Sequence, residues 1–394
     1  MTAERLAARA ALMRPSALRE LLSEGAPPRL SLAGGLPPPE AFPFEAVGEI
    51  VADLMTARDV SALQYTSAEG DPRLRALVAQ RVSAEIGRSV GAGDVIVATG
   101  TQQAIDLLGR VLLDPGDVAV VESPTYVGAL RSIAPTEARI VGVRGDAAGM
   151  DTDRLAELLA SGVRPKLVYL VANFSNPSGA TLSAPRRAHL AALADEFGFV
   201  VVEDDQYGRL RFRGEHLAPI ASLTEQAVYI SGFSKIVAPG LRVGYLVAPS
   251  WLTRPLVLAK QATDLAASSL GQRIVTRLLE RDGWLDQHVE HLRDVYRERA
   301  AALLGAAHDV LAGRLSLNEP EGGMFTWARI EQDGVDASAA VAAARAEGLA
   351  IVPGNEFSVD GGYDRDLRLS YSTLTPAELV EAVGLLRRAF DRLA

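Results

Sequence analysis

Between Asp94 and Ala248, seven short apolar runs alternate with longer amphipathic stretches, and few architectures accommodate that rhythm. The runs are DVIVATG, DVAVVES, ARIVGV, KLVYLVAN, FVVVEDD, AVYISGF and RVGYLVA. None alternates strictly between polar and apolar residues, so each suits a strand covered on both faces, as in a parallel sheet lying between two helix layers. Helical spacing follows the first run: Ala104, Ile105, Leu108, Val111 and Leu112 form one stripe, which stops at the turn Asp114-Pro115-Gly116-Asp117. The pattern predicts an α/β protein built on a mostly parallel, seven-stranded sheet.

A different texture follows the last run. Helical patterns over about 252–280 and 284–307 lead away from the sheet. Strand-like MFTWARI, LAIVPG and DLRLSYS then interleave with helical patterns over 337–347 and 376–394, which predicts a smaller α+β domain. The first 45 residues hold a short helix and the irregular AGGLPPPEAFP, too little for a domain of their own. The expected division is an N-terminal segment over 1–45 that packs with the small domain, a large domain over 46–285 and a small domain over 286–394.

Composition removes several classes of function. A net charge of -9 without a long basic block leaves no footprint for nucleic acid, so a small-molecule partner is favoured. With no cysteine, disulfides, thiolate zinc sites and cysteine nucleophiles are excluded. His288 and His291 stand three apart, but neither an HExxH pattern nor a carboxylate pair accompanies them, and no metal is expected. The first fifteen residues are charged throughout and no run of about 18 apolar residues occurs, so a cytoplasmic location without membrane contact is expected. Of 40 basic residues only Lys166, Lys235 and Lys260 are lysines, which leaves three candidates for any chemistry that needs a primary amine.

Three motifs carry chemistry. Thr99-Gly100-Thr101-Gln102-Gln103 falls where a strand gives way to a helix. Free backbone N–H groups and the positive helix end would bind an anion there, with the Thr101 hydroxyl and the Gln102 amide as further donors. The same letters describe a capped helix without a ligand equally well. Ser231-Gly232-Phe233-Ser234-Lys235 follows the run AVYI, and Arg242 lies seven residues beyond the lysine. A lysine just past a strand end loses its proton by desolvation and forms an imine with an aldehyde. The planar fork of Arg242 suits a phosphate, so together the two residues specify an aldehyde that carries one. Finally, Glu203-Asp204-Asp205-Gln206-Tyr207 ends the run FVVV. A carboxylate at that sheet edge would keep a pyridine nitrogen protonated, although three consecutive acids also suit solvent or a metal, and only the lysine motif decides between them.

The motifs TGTQQ, SPTY, NFSNPSG, VVEDDQY, SGFSKIVAPGLRVGY, GGMFTW, VPGNEF and LRLSYS occur in an order and spacing that resembles the class I/II aminotransferases of fold type I, which depend on pyridoxal 5'-phosphate. Within them the chain is most similar to the branch of 2-aminoadipate and kynurenine aminotransferases and of the aminotransferase domains of MocR-type regulators. The resemblance spans nearly the whole chain from about Arg14. It implies that Lys235 holds the cofactor as a Schiff base and later moves a proton, and that Asp204 pairs with the pyridine nitrogen. Tyr207 and Asn176 would bond the ring's 3'-oxygen, and Tyr126 would stack on the ring. Gly100, Thr101, Gln102, Ser234 and Arg242 would hold the phosphate. Arg368 would bind the substrate α-carboxylate with help from Asn176, while Gly35 and Arg19 would border the substrate side chain. Tyr65 would reach the phosphate of a neighbouring subunit, which implies a homodimer.

The implied reaction moves an amino group from an L-amino acid to a 2-oxo acid, such as 2-oxoglutarate, by a ping-pong mechanism. A lyase, decarboxylase or cyclase on the same fold is the alternative, because the orientation of the substrate decides which bond at Cα breaks. A MocR-like regulator would need a basic winged-helix region ahead of residue 15. One departure from the family pattern is visible. Ser or Thr usually stands three residues before the lysine, where this chain has Gly232, so one phosphate donor is missing or replaced.

Overall fold

All seven apolar runs become strands of one sheet, and a short eighth strand joins its edge. The computed structural model describes residues 7–13 and 27–394. Its large sheet comprises β1 (Val95–Ala98), β2 (Val118–Ser123), β3 (Arg139–Asp146), β4 (Gly149–Met150), β5 (Pro165–Val171), β6 (Val200–Asp204), β7 (Ala227–Gly232) and β8 (Gly244–Val247). They pair in the order β1-β8-β7-β6-β5-β2-β3-β4. From β7 to β3 all neighbours are parallel, β8 is antiparallel to β1 and β7, and β4 folds back on β3. The expected count of seven is thereby corrected to eight. Gly149, at φ +86, enters β4 straight from a tight turn, and a two-residue return leaves no periodic trace in a sequence.

Every residue of β6 and β7 is buried, which is why those runs show no polar alternation. Helix α1 (Thr101–Leu112) buries Ala104, Ile105 and Leu108 of the expected stripe, with Val111 and Leu112 half-buried, and it buries Leu107 as well. The pattern over 252–280 is two helices, Ser250–Thr263 and Ser269–Glu280. Between them Asp264 accepts from Lys260 Nζ at 2.6 Å and from the Thr99 hydroxyl at 2.8 Å, and Leu265 takes φ +61. Ser268 then caps the second helix by accepting the Gly271 N–H.

A second sheet contains β9 (Leu315–Leu317), β10 (Phe325–Ile330), β11 (Val352–Pro353) and β12 (Asp366–Ser370), antiparallel throughout in the order β9-β10-β12-β11. Arg368 occupies the middle of β12, opposite Trp327 on one side and Val352 on the other. The chain ahead of the large sheet lies against this smaller one. Leu30–Ser31 pairs in parallel with Leu349–Ala350, Ser370 donates its N–H to the Leu32 carbonyl, and the Ser372 hydroxyl donates to the Leu36 carbonyl. Those bonds hold Gly34 and Gly35 beside β12, facing the large sheet's carboxyl edge.

Among the described residues no helix is long and apolar enough to cross a membrane, and no cluster of His, Asp and Glu is placed to hold a metal ion. His288 stacks on Trp284 with ring centroids 5.0 Å apart, and burial lowers its pKa.

Candidate active site

A cavity of about 640 Å³ opens between the carboxyl ends of β5 to β7, the start of α1, and β12 with the segment laid beside it. Of the residues expected from sequence, Thr101, Gln102, Tyr126, Asn176, Asp204, Tyr207, Ser234, Lys235, Arg242, Arg368 and Gly35 line it. Gly100 stands just behind, at φ +87 before α1, where a Cβ would come within 2.5 Å of Arg242 Nη2. Tyr65 is elsewhere, 80% exposed on the outer surface. Arg19 lies outside the described residues.

Lys235 follows the end of β7, and its Nζ donates to the Gly35 carbonyl at 2.8 Å. Burial, then the charges of Arg242 and Arg368, pull its pKa from 10.5 to about 8, so a neutral amine is within reach near neutral pH. The other two lysines do not compete. Lys166 is exposed on β5, and Lys260 is fully buried in an ion pair with Asp264.

The three consecutive acids have separate fates, because side chains along a strand point to opposite faces. Glu203 turns inward to Arg187 at 3.3 Å and accepts the Ala221 N–H. Asp205 accepts from Asn173 Nδ2, the Gly208 N–H and the Tyr229 hydroxyl, each at 2.9 Å. Only Asp204 reaches the cavity. Its Oδ2 accepts the Tyr169 hydroxyl at 2.9 Å, whereas its Oδ1 is buried without a partner. Burial raises its pKa to about 7, and the Tyr169 hydrogen bond opposes that rise. An orphaned carboxylate oxygen in such a place fits a cationic N–H such as a protonated pyridine.

Arg368 is the cavity's opposite pole. Its Nη1 donates to Asn176 Oδ1 at 2.8 Å, its Nη2 donates to the Ala33 carbonyl, and its Nε has no partner. The guanidinium lies 4.5 Å from the ring centre of Phe325 and 4.9 Å from that of Phe357. Burial lowers its pKa to about 10, which leaves it cationic at neutral pH. Gly35 has to be small here, since a Cβ would sit 2.5 Å from Phe325 Cζ. Tyr207 packs edge-on against Phe325 at 6.1 Å, and burial raises its pKa.

At the start of α1 no side chain caps the helix, and Arg242 is fixed nearby by donating to the Thr99 carbonyl at 2.8 Å, an arrangement suited to an anion. Gln102 departs from expectation. Its side-chain nitrogen donates to the Gly128 carbonyl and the Ser132 hydroxyl, both at 2.6 Å, and its Oε1 accepts the Tyr126 hydroxyl at 3.2 Å. That amide ties α1 to α2 (Val127–Ile133), so what Gln102 offers an anion is its backbone N–H. Sequence reasoning missed Tyr169, which reads as one more core aromatic of KLVYLVAN, and the rings of Phe325 and Phe357, which stand inside GGMFTW and VPGNEF without a polar atom to mark them.

An amine whose pKa is lowered to about 8, an orphaned carboxylate oxygen and a helix start beside an arginine thus share one cavity, and they fit an aldehyde-bearing pyridine with a phosphate arm. The comparisons agree. Residues 32–386 match the family model described as aminotransferase class I and II. The 2-aminoadipate transaminase of Thermus thermophilus is 38% identical over 384 residues, covering 96% of this chain and 94% of that protein. The aromatic-amino-acid aminotransferase 1 of Thermococcus litoralis is 36% identical over 381 residues, covering 95% and 91%. The α-aminoadipate aminotransferase of Thermus thermophilus, solved with N-(5'-phosphopyridoxyl)-L-leucine, superposes with a TM-score of 0.92 at 37% identity, covering 100% of this chain and 99% of that one. This chain therefore belongs to the class I and II aminotransferases, enzymes that carry pyridoxal 5'-phosphate and move amino groups between amino acids and 2-oxo acids.

Proposed function

We propose that the enzyme takes its amino group from an L-amino acid with a large side chain, passes it to 2-oxoglutarate or a similar 2-oxo acid, and divides the work among the cavity residues as follows. When bound, the cofactor supplies an aldehyde and an electron-withdrawing ring. Lys235 holds the aldehyde and, once released, carries a proton between the substrate Cα and the cofactor's C4' atom. Its lowered pKa leaves a useful fraction unprotonated near neutrality. Asp204 keeps the pyridine nitrogen protonated through Oδ1. Tyr207 and Asn176 bond the ring's 3'-oxygen, and Tyr126 covers one ring face. Thr101, the Gln102 N–H, Ser234 and Arg242 hold the phosphate, with Gly100 giving the turn its shape. Arg368 binds the α-carboxylate as a bidentate partner, assisted by Asn176.

The single observation that carries this assignment is that Lys235 Nζ, Asp204 Oδ1 and Arg368 belong to side chains that face the same enclosed space. A large substrate side chain is favoured by walls of Leu36, Val127, Val352, Phe325 and Phe357. The relatives named for 2-aminoadipate and for aromatic amino acids favour it too. Gly35 borders that side chain from the N-terminal segment, while the expected role of Arg19 rests on the sequence alone. The packing of residues 30–36 on β12 favours the division into an N-terminal segment, a large domain and a small one.

A homodimer completes the reading. Val60, Leu63 and Tyr65 are 72%, 73% and 80% exposed on one short stretch, a surface that a second copy would cover while Tyr65 enters its phosphate site. The whole proposal is tested by recording visible absorbance while single amino acids are added. Transamination bleaches the band of the lysine-bound cofactor, and 2-oxoglutarate restores it. Release of carbon dioxide or ammonia without such restoration would make the enzyme a decarboxylase or lyase instead.

A further inference from the structure

We propose that Gln206 is a phosphate ligand in this chain, its side-chain amide serving in place of the hydroxyl that Gly232 cannot supply. The inference rests on the phosphate lying at the start of α1, as proposed above.

The backbone around that turn is stripped of side chains. Gly232 on β7 pairs with Gly244 on β8. A Cβ on Gly232 would fall 3.0 Å from Gly244 Cα and 3.2 Å from the Val243 oxygen. One on Gly244 would fall 2.9 Å from Gly100 Cα and 3.0 Å from the Thr101 nitrogen. Strand end, neighbouring strand and helix start therefore touch through backbone alone, and any side chain at position 232 is crowded by backbone atoms of β8 and the residue before it.

Gln206 reaches that gap from the end of β6. Its Oε1 is 3.7 Å from where a Gly232 Cβ would stand, so the amide group borders this backbone junction. Gln206 lines the cavity, and its Nε2 is buried without an acceptor. A buried amide nitrogen left unpaired is destabilising, so an anion that supplies the missing acceptor binds more tightly for it. Asp204 Oδ1, in the same cavity, is likewise buried without a hydrogen-bond partner. Gln102, the glutamine that sequence marked for the phosphate, has spent its amide on α2.

The test compares two aldehydes that differ only in the phosphate. Cofactor-free enzyme is titrated with pyridoxal 5'-phosphate and with pyridoxal, following the visible band that appears as each attaches to the lysine. Gln206→Met keeps the length and removes the donor; Gln206→Glu keeps the shape and adds a negative charge, and it carries the test should the methionine variant not fold. Affinity for pyridoxal 5'-phosphate is expected to fall about tenfold in the first and further in the second, with pyridoxal affinity unchanged. Parallel loss of both affinities, or loss of neither, overturns the role of Gln206. Arg242→Leu separates the two levels. If it lowers the phosphate-dependent affinity while the Gln206 variants do not, only this inference fails; if none of the variants does, the phosphate site itself is wrongly placed.

Discussion

Tyr169 donates its hydroxyl to one oxygen of Asp204 at 2.9 Å and leaves the other oxygen open to the cavity. A hydrogen bond to the charged form of an acid favours ionisation, so Tyr169 works against the burial that raises this carboxyl to about 7. Tyr169 is itself fully buried on β5 and never reaches the cavity wall. Its hydrogen bond to the aspartate is the route by which it would influence a ligand in the cavity.

Tyr169→Phe is therefore expected to raise the Asp204 pKa further and to weaken its hold on a protonated pyridine nitrogen. The acidic limb of the pH–kcat/KM profile moves to higher pH, and activity at pH 7 falls about tenfold. An unmoved limb with reduced activity would mean that the ring only packs the core.

Lys235 links stability to pH in the cofactor-free protein. Its folded pKa, about 8, lies below the ordinary 10.5, so between those values the unfolded chain binds more protons and stability rises with pH. Below pH 8 the buried ammonium costs about 3 kcal/mol. Lys235→Met is expected to stabilise the cofactor-free protein at pH 7, and the gain shrinks as pH rises above 8. Denaturant melts at pH 7 and 9.5 measure this, and a gain independent of pH would assign it to packing.

Arg368→Lys removes the fork but keeps a charge. KM for amino acids is expected to rise about a hundredfold with a smaller change in kcat, because a bidentate charge-assisted pair is lost. Conversion of the matching amine, which lacks the carboxylate, should be unaffected in the variant. Steady-state kinetics on both compounds decide the point.

Tyr65→Phe probes the second copy. Sedimentation is expected to give twice 41.8 kDa for the parent and the variant alike, while affinity for pyridoxal 5'-phosphate drops about tenfold in the variant. A monomer with full cofactor affinity would remove Tyr65 from the site.

Much of this was legible in the letters. The buried parallel strands announced themselves as unbroken apolar runs, and the ordered motifs located Lys235, Asp204 and Arg368 ahead of the fold. What stayed hidden has physical reasons. The two-residue β4 and the break at Asp264 depend on a left-handed turn and on side-chain bonds to Lys260 and Thr99, which leave no period in a sequence. The resemblance singled out Asp204 among three adjacent acids, but the reason Glu203 turns inward while Asp204 faces the cavity is the alternation of side chains along β6, which composition does not carry. Gln102 and Gln206 are the sharpest case. Two glutamines near one turn have the same chemistry, and only the positions of Gly128, Ser132 and Gly232 show that the first amide is already bonded and the second is not.

The most direct measurement uses the scarcity of lysine. With three in the chain, borohydride reduction of the cofactor-loaded enzyme followed by peptide mass mapping has three possible answers. The phosphopyridoxyl group is expected on Lys235 alone, and Lys235→Ala is expected to take up no label and to lose amino-group transfer. A label on Lys166 or Lys260, or a Lys235→Ala enzyme that still transfers amino groups, would contradict the assignment of the active site.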